Sequence, residues 1–159
     1  MLVAIALGSN LGDRRAHLAS AVERLAALLV DLRVSDIIET EPLGVTGPQP
    51  PYLNAAAVGR TTLPARDLLD RLLAIEAEGG RVRRGWRSPR TLDLDLILHG
   101  ESLIDENGLQ VPHPHFRERA FVLEPLAQVA PEMRDPVTGA TIRELLAALR
   151  ERQEQSRHP

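Results

Sequence analysis

The chain is expected to fold as an α+β protein of the ferredoxin-like, split βαβ kind: an antiparallel four-stranded sheet with helices on one face and additional C-terminal helices. Three observations carry this. Apolar segments change period along the chain in the order strand, helix, strand, strand, helix, strand. Glycine, proline or a capping acid marks the changes. The 159 residues, 43% of them apolar, suffice for one core, so the span 1–159 is read as a single domain without linker, repeat or low-complexity tract.

The first element is the short β-rich run Leu2-Val3-Ala4-Ile5-Ala6-Leu7, which Gly8-Ser9-Asn10-Leu11-Gly12-Asp13 ends as a turn whose Asp13 can cap a helix. Leu18, Val22, Leu25 and Leu29 then recur at helical spacing, with Arg14, Arg15, Glu23 and Arg24 elsewhere on the cylinder. That pattern is an amphipathic helix laid on a sheet. Residues 34–40 read as the second strand. Pro42, Gly44, Gly47, Pro48, Pro50 and Pro51 can continue neither element, and the loop 42–51 is long enough to be a lid.

Residues 52–61 read as the third strand, with Tyr52, Asn54, Ala56 and Val58 on one face. Pro64 opens a second helix whose stripe is Leu68, Leu72 and Ile75, and Gly79-Gly80 stops it. Residues 92–98 form the fourth strand. Short extended pieces follow around Val111, then a helix over 122–129, and last a helix opened by the capping box Thr141-Ile142-Arg143-Glu144. One sheet face is thereby taken by the two long helices and the other is left for loops and ligand.

Composition excludes several functions. A net charge of −3 argues against a nucleic-acid coat, because the basic residues are concentrated locally, and points to a small anionic partner. Cysteine is absent, which removes disulfides, thiolate nucleophiles and zinc–thiolate sites. Lysine is absent too, so a Walker-type phosphate loop, a protein kinase site and a Schiff base are all excluded. Met1-Leu2-Val3 enters an apolar segment with no charged leader pattern, so cytoplasmic residence and no membrane association are expected.

The chemistry concentrates in one stretch. Residues 81–90 hold five arginines, at 81, 83, 84, 87 and 90, and Thr91-Leu92-Asp93-Leu94-Asp95 follows directly. Asp93 and Asp95, two apart on a strand, project the same way, so two hard oxygen donors converge. Magnesium favours one or two carboxylates plus substrate phosphate oxygens, and guanidinium forks suit the remaining phosphate charge. The pattern therefore points to magnesium-assisted phosphoryl-type transfer from a nucleotide. Unbalanced arginines in a loop either meet an anion or remain solvated. Trp86, alone of its kind, sits among them and reads as a lid contact rather than a core residue. Tyr52 and Asn54 share a face, which suits stacking and edge-reading of a flat heterocycle or, equally, a half-buried tyrosine beside a structural amide. His113, held between Pro112 and Pro114, can meet a phosphate or serve structure.

Several segments occur in one order: Gly8-Ser9-Asn10, Thr40-Glu41-Pro42-Leu43-Gly44, Tyr52-Leu53-Asn54-Ala55, Ile75-Glu76, Gly80-Arg81-Val82-Arg83, Pro89-Arg90-Thr91-Leu92-Asp93-Leu94-Asp95, and Val111-Pro112-His113-Pro114 with Arg119-Ala120-Phe121. Together they resemble the 6-hydroxymethyl-7,8-dihydropterin pyrophosphokinases of folate biosynthesis, over nearly the whole chain. The resemblance implies transfer of an intact pyrophosphoryl group from ATP to the pterin hydroxymethyl oxygen, releasing AMP. It implies two magnesium ions held with ATP by Asp93 and Asp95, and Arg81 and Arg90 as catalytic arginines. Tyr52 and Phe121 would sandwich the pterin, with Asn54, Thr40 and Leu43 reading its polar edge. Glu76, Arg83, Ile97, Gln110, His113 and Arg119 would line the ATP site. The family usually carries Arg-Trp-Gly before Pro-Arg-Thr, whereas here Trp86-Arg87-Ser88 stands there, so either Trp86 or Arg87 takes that ATP contact or one contact is lost. A monomer is expected.

Three rivals remain at this point. Another two-metal nucleotidyl or phosphoryl transferase would yield products other than AMP and a pterin diphosphate. A pterin-binding relative with impaired catalysis would yield none. An RNA-binding split βαβ module should show several sheet aromatics and a basic surface, against 3% aromatics and net acidity here.

Overall fold

Strand β1 (Leu2–Ser9) lies at the centre of an antiparallel sheet, flanked by β4 (Tyr52–Arg60) and β5 (Asp93–His99). The computed structural model describes residues 1–10, 12–40, 51–78 and 92–157. Beyond β4 the sheet is completed by β2 (Val30–Val34) and β3 (Ile38–Thr40), both paired to β4. Between β1 and β2 runs α1 (Arg14–Leu28), and between β4 and β5 runs α2 (Ala65–Glu78), which is the split βαβ order the periodicity predicts.

The local signals behave as their chemistry requires. Asp13 caps α1 by accepting the Ala16 N–H at 3.1 Å. Leu18, Ala21 and Leu25 are the buried residues of α1, while Leu29, read as its last apolar position, falls just past its end. Leu68, Leu72 and Ile75 are buried along α2 as the stripe requires. The stop assigned to Gly79-Gly80 lies outside the described residues. The final helix, Ile142–Arg157, begins with the expected capping box, in which Thr141 and Glu144 exchange backbone-to-side-chain bonds of 3.0 and 3.2 Å.

Three expectations need correction. The turn read at Gly8-Ser9 is strand, since β1 continues through Ser9 and pairs Gly8 with both Asn54 and Asp93. The single strand read over 34–40 is two strands. They part at Ser35, whose hydroxyl accepts the Ala56 N–H at 2.8 Å, so a side chain takes a place in the ladder that a backbone carbonyl would otherwise fill. The face assigned wholly to loops and ligand is largely covered by helices α3 (Ala120–Val129) and α4, the final helix.

Strand parity explains the two layers. Val3, Ile5, Leu7, Leu53, Ala55, Ala57, Leu94 and Leu96 pack on α1 and α2. Ala4, Ala56, Val58 and Leu98 turn the other way, onto Val122, Leu123 and Leu126 of α3 and Ile142 and Leu146 of α4. A register shift opposite Ala4 and Ile5 leaves Ile97 unpaired, which is why Leu96 and Leu98 join different layers. The alanines on that second face let α3 approach closely. It stops short of the Tyr52–Asn54 end of β4, and the site lies there.

The segment carrying the basic and aromatic residues of that end is pinned from behind. Arg117, in a 3₁₀ turn over Phe116–Glu118, donates to both oxygens of the fully buried Asp135 at 2.5 and 2.9 Å. Thr138 Oγ1 and the Val137 N–H add bonds of 2.8 and 3.0 Å to the same carboxylate. Burial by itself would raise the Asp135 pKa, but the Arg117, Thr138 and Val137 bonds outweigh it and hold the carboxyl below its ordinary value of 3.8. The unfolded chain therefore takes up this proton first. The stabilisation is complete above the ordinary value and is lost as pH falls through the lower, folded one. Asp135→Asn is expected to cost about 3 kcal/mol near neutral pH, because it leaves a partly buried guanidinium poorly paired. Urea unfolding of both proteins across pH should show the difference shrinking only in strong acid.

Candidate active site

Two cavities open on the sheet end left uncovered by α3. One, of about 630 Å³, is bordered by Gly8, Thr40, Tyr52, Asn54, both Asp93 and Asp95, and by Arg119 and Phe121. The other, of about 510 Å³, is bordered by Asp95, Leu96, Asp105, Glu106, Gln110 and His113 among others. Among the described residues Asp95 is common to both linings, so its carboxylate faces both spaces.

The first cavity is lined by two aromatic rings and by the polar pair Thr40 and Asn54. Tyr52 comes from the start of β4 and Phe121 from the first turn of α3, so sheet and helix supply one ring each. Asn54, 5% exposed, donates from Nδ2 to Thr40 Oγ1 at 2.7 Å, which fixes the amide so that its remaining groups have a set direction. The Arg119 guanidinium sits 5.8 Å from the centre of the Phe121 ring and gives that wall a positive rim.

The second cavity has an apolar floor of Leu69, Leu94 and Leu96 and a polar rim. Its far wall is the hairpin of β6 (Ile104–Glu106) and β7 (Leu109–Val111), joined by Asn107-Gly108. Arg66 on α2 ties that hairpin down by donating to Glu106 Oε2 at 3.0 Å and to the Asn107 carbonyl at 3.1 Å. His113 closes the rim. Its Nδ1 accepts the His115 N–H at 3.2 Å, so the neutral ring carries its proton on Nε2. Burial lowers the His113 pKa; Asp95 nearby raises it, while Arg119 and His115 lower it further, and the net direction is down. The ring is thus a neutral donor near pH 7.

Asp93 and Asp95 project from β5 on one side, the first half-buried and the second exposed, as strand alternation requires. Beneath them Glu76, 4% exposed, accepts the Leu94 N–H at 2.8 Å and holds the strand between the two acids. Among the described residues no group of three or more His, Cys, Asp and Glu gathers as a cage. The donor set is two hard carboxylates beside two open cavities. That set fits magnesium, which takes its remaining oxygens from a substrate and from water, and suits neither zinc nor a protein-enclosed calcium.

Of the residues singled out from sequence, Thr40, Tyr52, Asn54, Asp93, Asp95, Arg119 and Phe121 meet around the first cavity, and Gln110 and His113 join Asp95 around the second. Ile97 is buried in the core with only its carbonyl engaged near the site, accepting the His113 N–H at 3.0 Å. Glu76 lies under the strand and lines neither cavity. Leu43, Arg81, Arg83, Trp86, Arg87 and Arg90 lie outside the described residues, as do most of the two loops read at 42–51 and 81–90. Sequence reasoning missed Gly8, Asp105 and Glu106. For the last two a signal existed: Asn-Gly between short β-rich runs marks a hairpin.

Residues 4–131 match the family model described as 7,8-dihydro-6-hydroxymethylpterin-pyrophosphokinase. A Pseudomonas aeruginosa protein named 2-amino-4-hydroxy-6-hydroxymethyldihydropteridine pyrophosphokinase is 48% identical over 149 residues, spanning 92% of this chain and 90% of its own. A Methylorubrum extorquens protein of the same name is 44% identical over 148 residues, 91% of each. The crystal structure of Plasmodium falciparum HPPK-DHPS shares the fold at a TM-score of 0.78 and 14% identity, over 98% of this chain but only 46% of that longer one.

Proposed function

We infer the activity from membership, because the chain belongs to the 7,8-dihydro-6-hydroxymethylpterin-pyrophosphokinase family. It transfers a pyrophosphoryl group from ATP to the hydroxymethyl group of 6-hydroxymethyl-7,8-dihydropterin, a step of folate biosynthesis, and releases AMP. The bond between the β-phosphorus and the oxygen that bridges it to the α-phosphorus breaks, that oxygen departs on AMP, the β-phosphorus joins the pterin oxygen, and the hydroxyl proton leaves to solvent. The observation that carries the assignment of parts is the shared position of Asp95 between a cavity lined by Tyr52 and Phe121 and a second one lined by His113.

In this reading the pterin lies between Tyr52 and Phe121, and Asn54, oriented by Thr40, pairs with its amide edge; Leu43 completes the edge. ATP occupies the second cavity. Its base rests on the Leu94 and Leu96 floor toward the hairpin and Gln110, and its phosphates run toward His113 and Arg119. Glu76 and Ile97 act from beneath, through the β5 backbone and the His113 N–H. Arg81 and Arg90 are assigned to the phosphate charge that grows at the transition state, with Arg83 and either Trp86 or Arg87 on the nucleotide. Two magnesium ions brought in with ATP, held by Asp93 and Asp95, would neutralise phosphate charge and make the β-phosphorus more electrophilic. The protein itself orients the two substrates and presents donors, which is most of what such a transfer asks.

We assign the chain as one domain that acts as a cytoplasmic monomer. No described helix is long and apolar enough to cross a membrane. Incubation with ATP, magnesium and hydroxymethyldihydropterin should produce AMP and pterin diphosphate in equal amounts. ADP as the nucleotide product, or no product, overturns the assignment. His113→Ala is expected to raise KM for ATP about tenfold with a smaller change in the pterin KM, since it removes one neutral donor to a charged phosphate; steady-state kinetics with each substrate varied checks this.

A further inference from the structure

Tyr52 belongs to two sites at once. It begins β4, yet its phenol donates a hydrogen bond to Asp93 Oδ2 on β5, and β1 lies between those strands. The side chain can cross because of what it crosses. Gly8 on β1 is the residue opposite Asn54 on one side and opposite Asp93 on the other. A Cβ at that position would stand 2.7 Å from Tyr52 Cε1, inside any normal contact distance, so only glycine leaves room for the ring to lie across the strand.

We propose that Tyr52 is a positioning residue for the cation site: its hydroxyl fixes the Asp93 carboxylate before substrate arrives, so that the metal carried in by the nucleotide meets a prearranged acid pair. This rests on the reading that Asp93 and Asp95 hold the cation. A carboxylate has about four acceptor sites, so one phenol bond orients the group without consuming its capacity for a metal. Outer partners of this kind set the rotamer of a ligand, and a neutral phenol does so without adding a competing charge. A tyrosine serving only as a stacking surface has no use for a hydroxyl aimed at a carboxylate across two strand spacings. The hydrogen bond therefore assigns the ring to the pterin cavity and the oxygen to the metal.

The test uses the full chain and Tyr52→Phe, which keeps the ring. Manganese binding is read by electron paramagnetic resonance with the nonhydrolysable α,β-methylene analogue of ATP, and pterin binding by calorimetry without metal. Tyr52→Phe is expected to weaken manganese binding about tenfold and to leave the pterin affinity within about twofold of wild type. Unchanged manganese binding overturns the proposal, and so does a loss of pterin affinity as large as the loss for metal. Asp93→Asn separates the two layers of the argument. If that variant binds manganese like wild type, the acid-pair reading fails and this proposal with it. If it loses manganese while Tyr52→Phe does not, only the role of the hydroxyl fails.

Discussion

Asp95→Ala is expected to lower kcat by about 10³-fold or more while leaving the folded state close to wild type in stability. Both halves of that expectation follow from position. The Asp95 side chain is exposed and belongs to neither packed layer of the sheet, so its loss opens no core cavity. It is also the residue on which the two cavities meet. On the proposed assignment, removing it would take away one of two carboxylate donors for the cation beside the transferring group. Substrate binding should suffer less than turnover, because the walls of each cavity are made by other residues. Steady-state kinetics and urea unfolding of the same preparation check both halves. Turnover within about tenfold of wild type removes Asp95 from the chemistry, and a large fall in stability would mean that it acts on the fold instead.

The sheet was legible because its residues carry period and parity in the chain itself. Tyr52, Asn54, Ala56 and Val58 share a face because a strand alternates, and Asp93 and Asp95 share one for the same reason. The capping box at Thr141 and the cap at Asp13 are likewise local chemistry. What was not legible needed register between distant strands. Gly8 reads as a turn beside Ser9 and Asn10. Its real part, lying beneath a tyrosine ring, requires knowing that β1 is sandwiched between Asn54 and Asp93. The split at Ser35 turns on a hydroxyl displacing a carbonyl, which no apolar pattern records.

The second helical layer did leave a trace. Residues 3–7 are apolar without alternation, the pattern of a strand buried on both faces, and Ala4 and Ala56 are small where α3 presses in. Read that way, the run over 2–7 predicts helices on both sides of the sheet and confines the open site to one end. The acids of the hairpin were missed for a different reason. Asp105 and Glu106 reach the second cavity because the buried Leu109 and Val111 seat the hairpin in the core and Arg66 on α2 bonds to Glu106; Asn-Gly marks the hairpin, but its docking place depends on partners distant in sequence and has no local signature.

Phe121→Ala is expected to raise KM for the pterin about 10- to 100-fold, with KM for ATP and the fold little changed. Stacking a flat heterocycle on an aromatic side chain contributes about 1–3 kcal/mol, and on the proposed assignment Phe121 would supply one of the two stacking rings. The ring is only half-buried at the edge of the layer, and the fully packed Val122, Leu123 and Leu126 hold α3 to the sheet, so truncation should leave the helix in place. Arg119, whose guanidinium stands over that ring, would lose its platform and carry a minor part of the effect toward the phosphates. Phe121→Leu should fall between wild type and alanine, since leucine restores apolar contact without a π-face. The contrast with Tyr52→Phe makes the result specific: that substitution keeps both rings and should spare the pterin. Kinetics with pterin varied at saturating ATP will separate them, and an unchanged pterin KM for Phe121→Ala would remove the helix-borne wall from the binding site and leave Tyr52 as the aromatic face among the described residues.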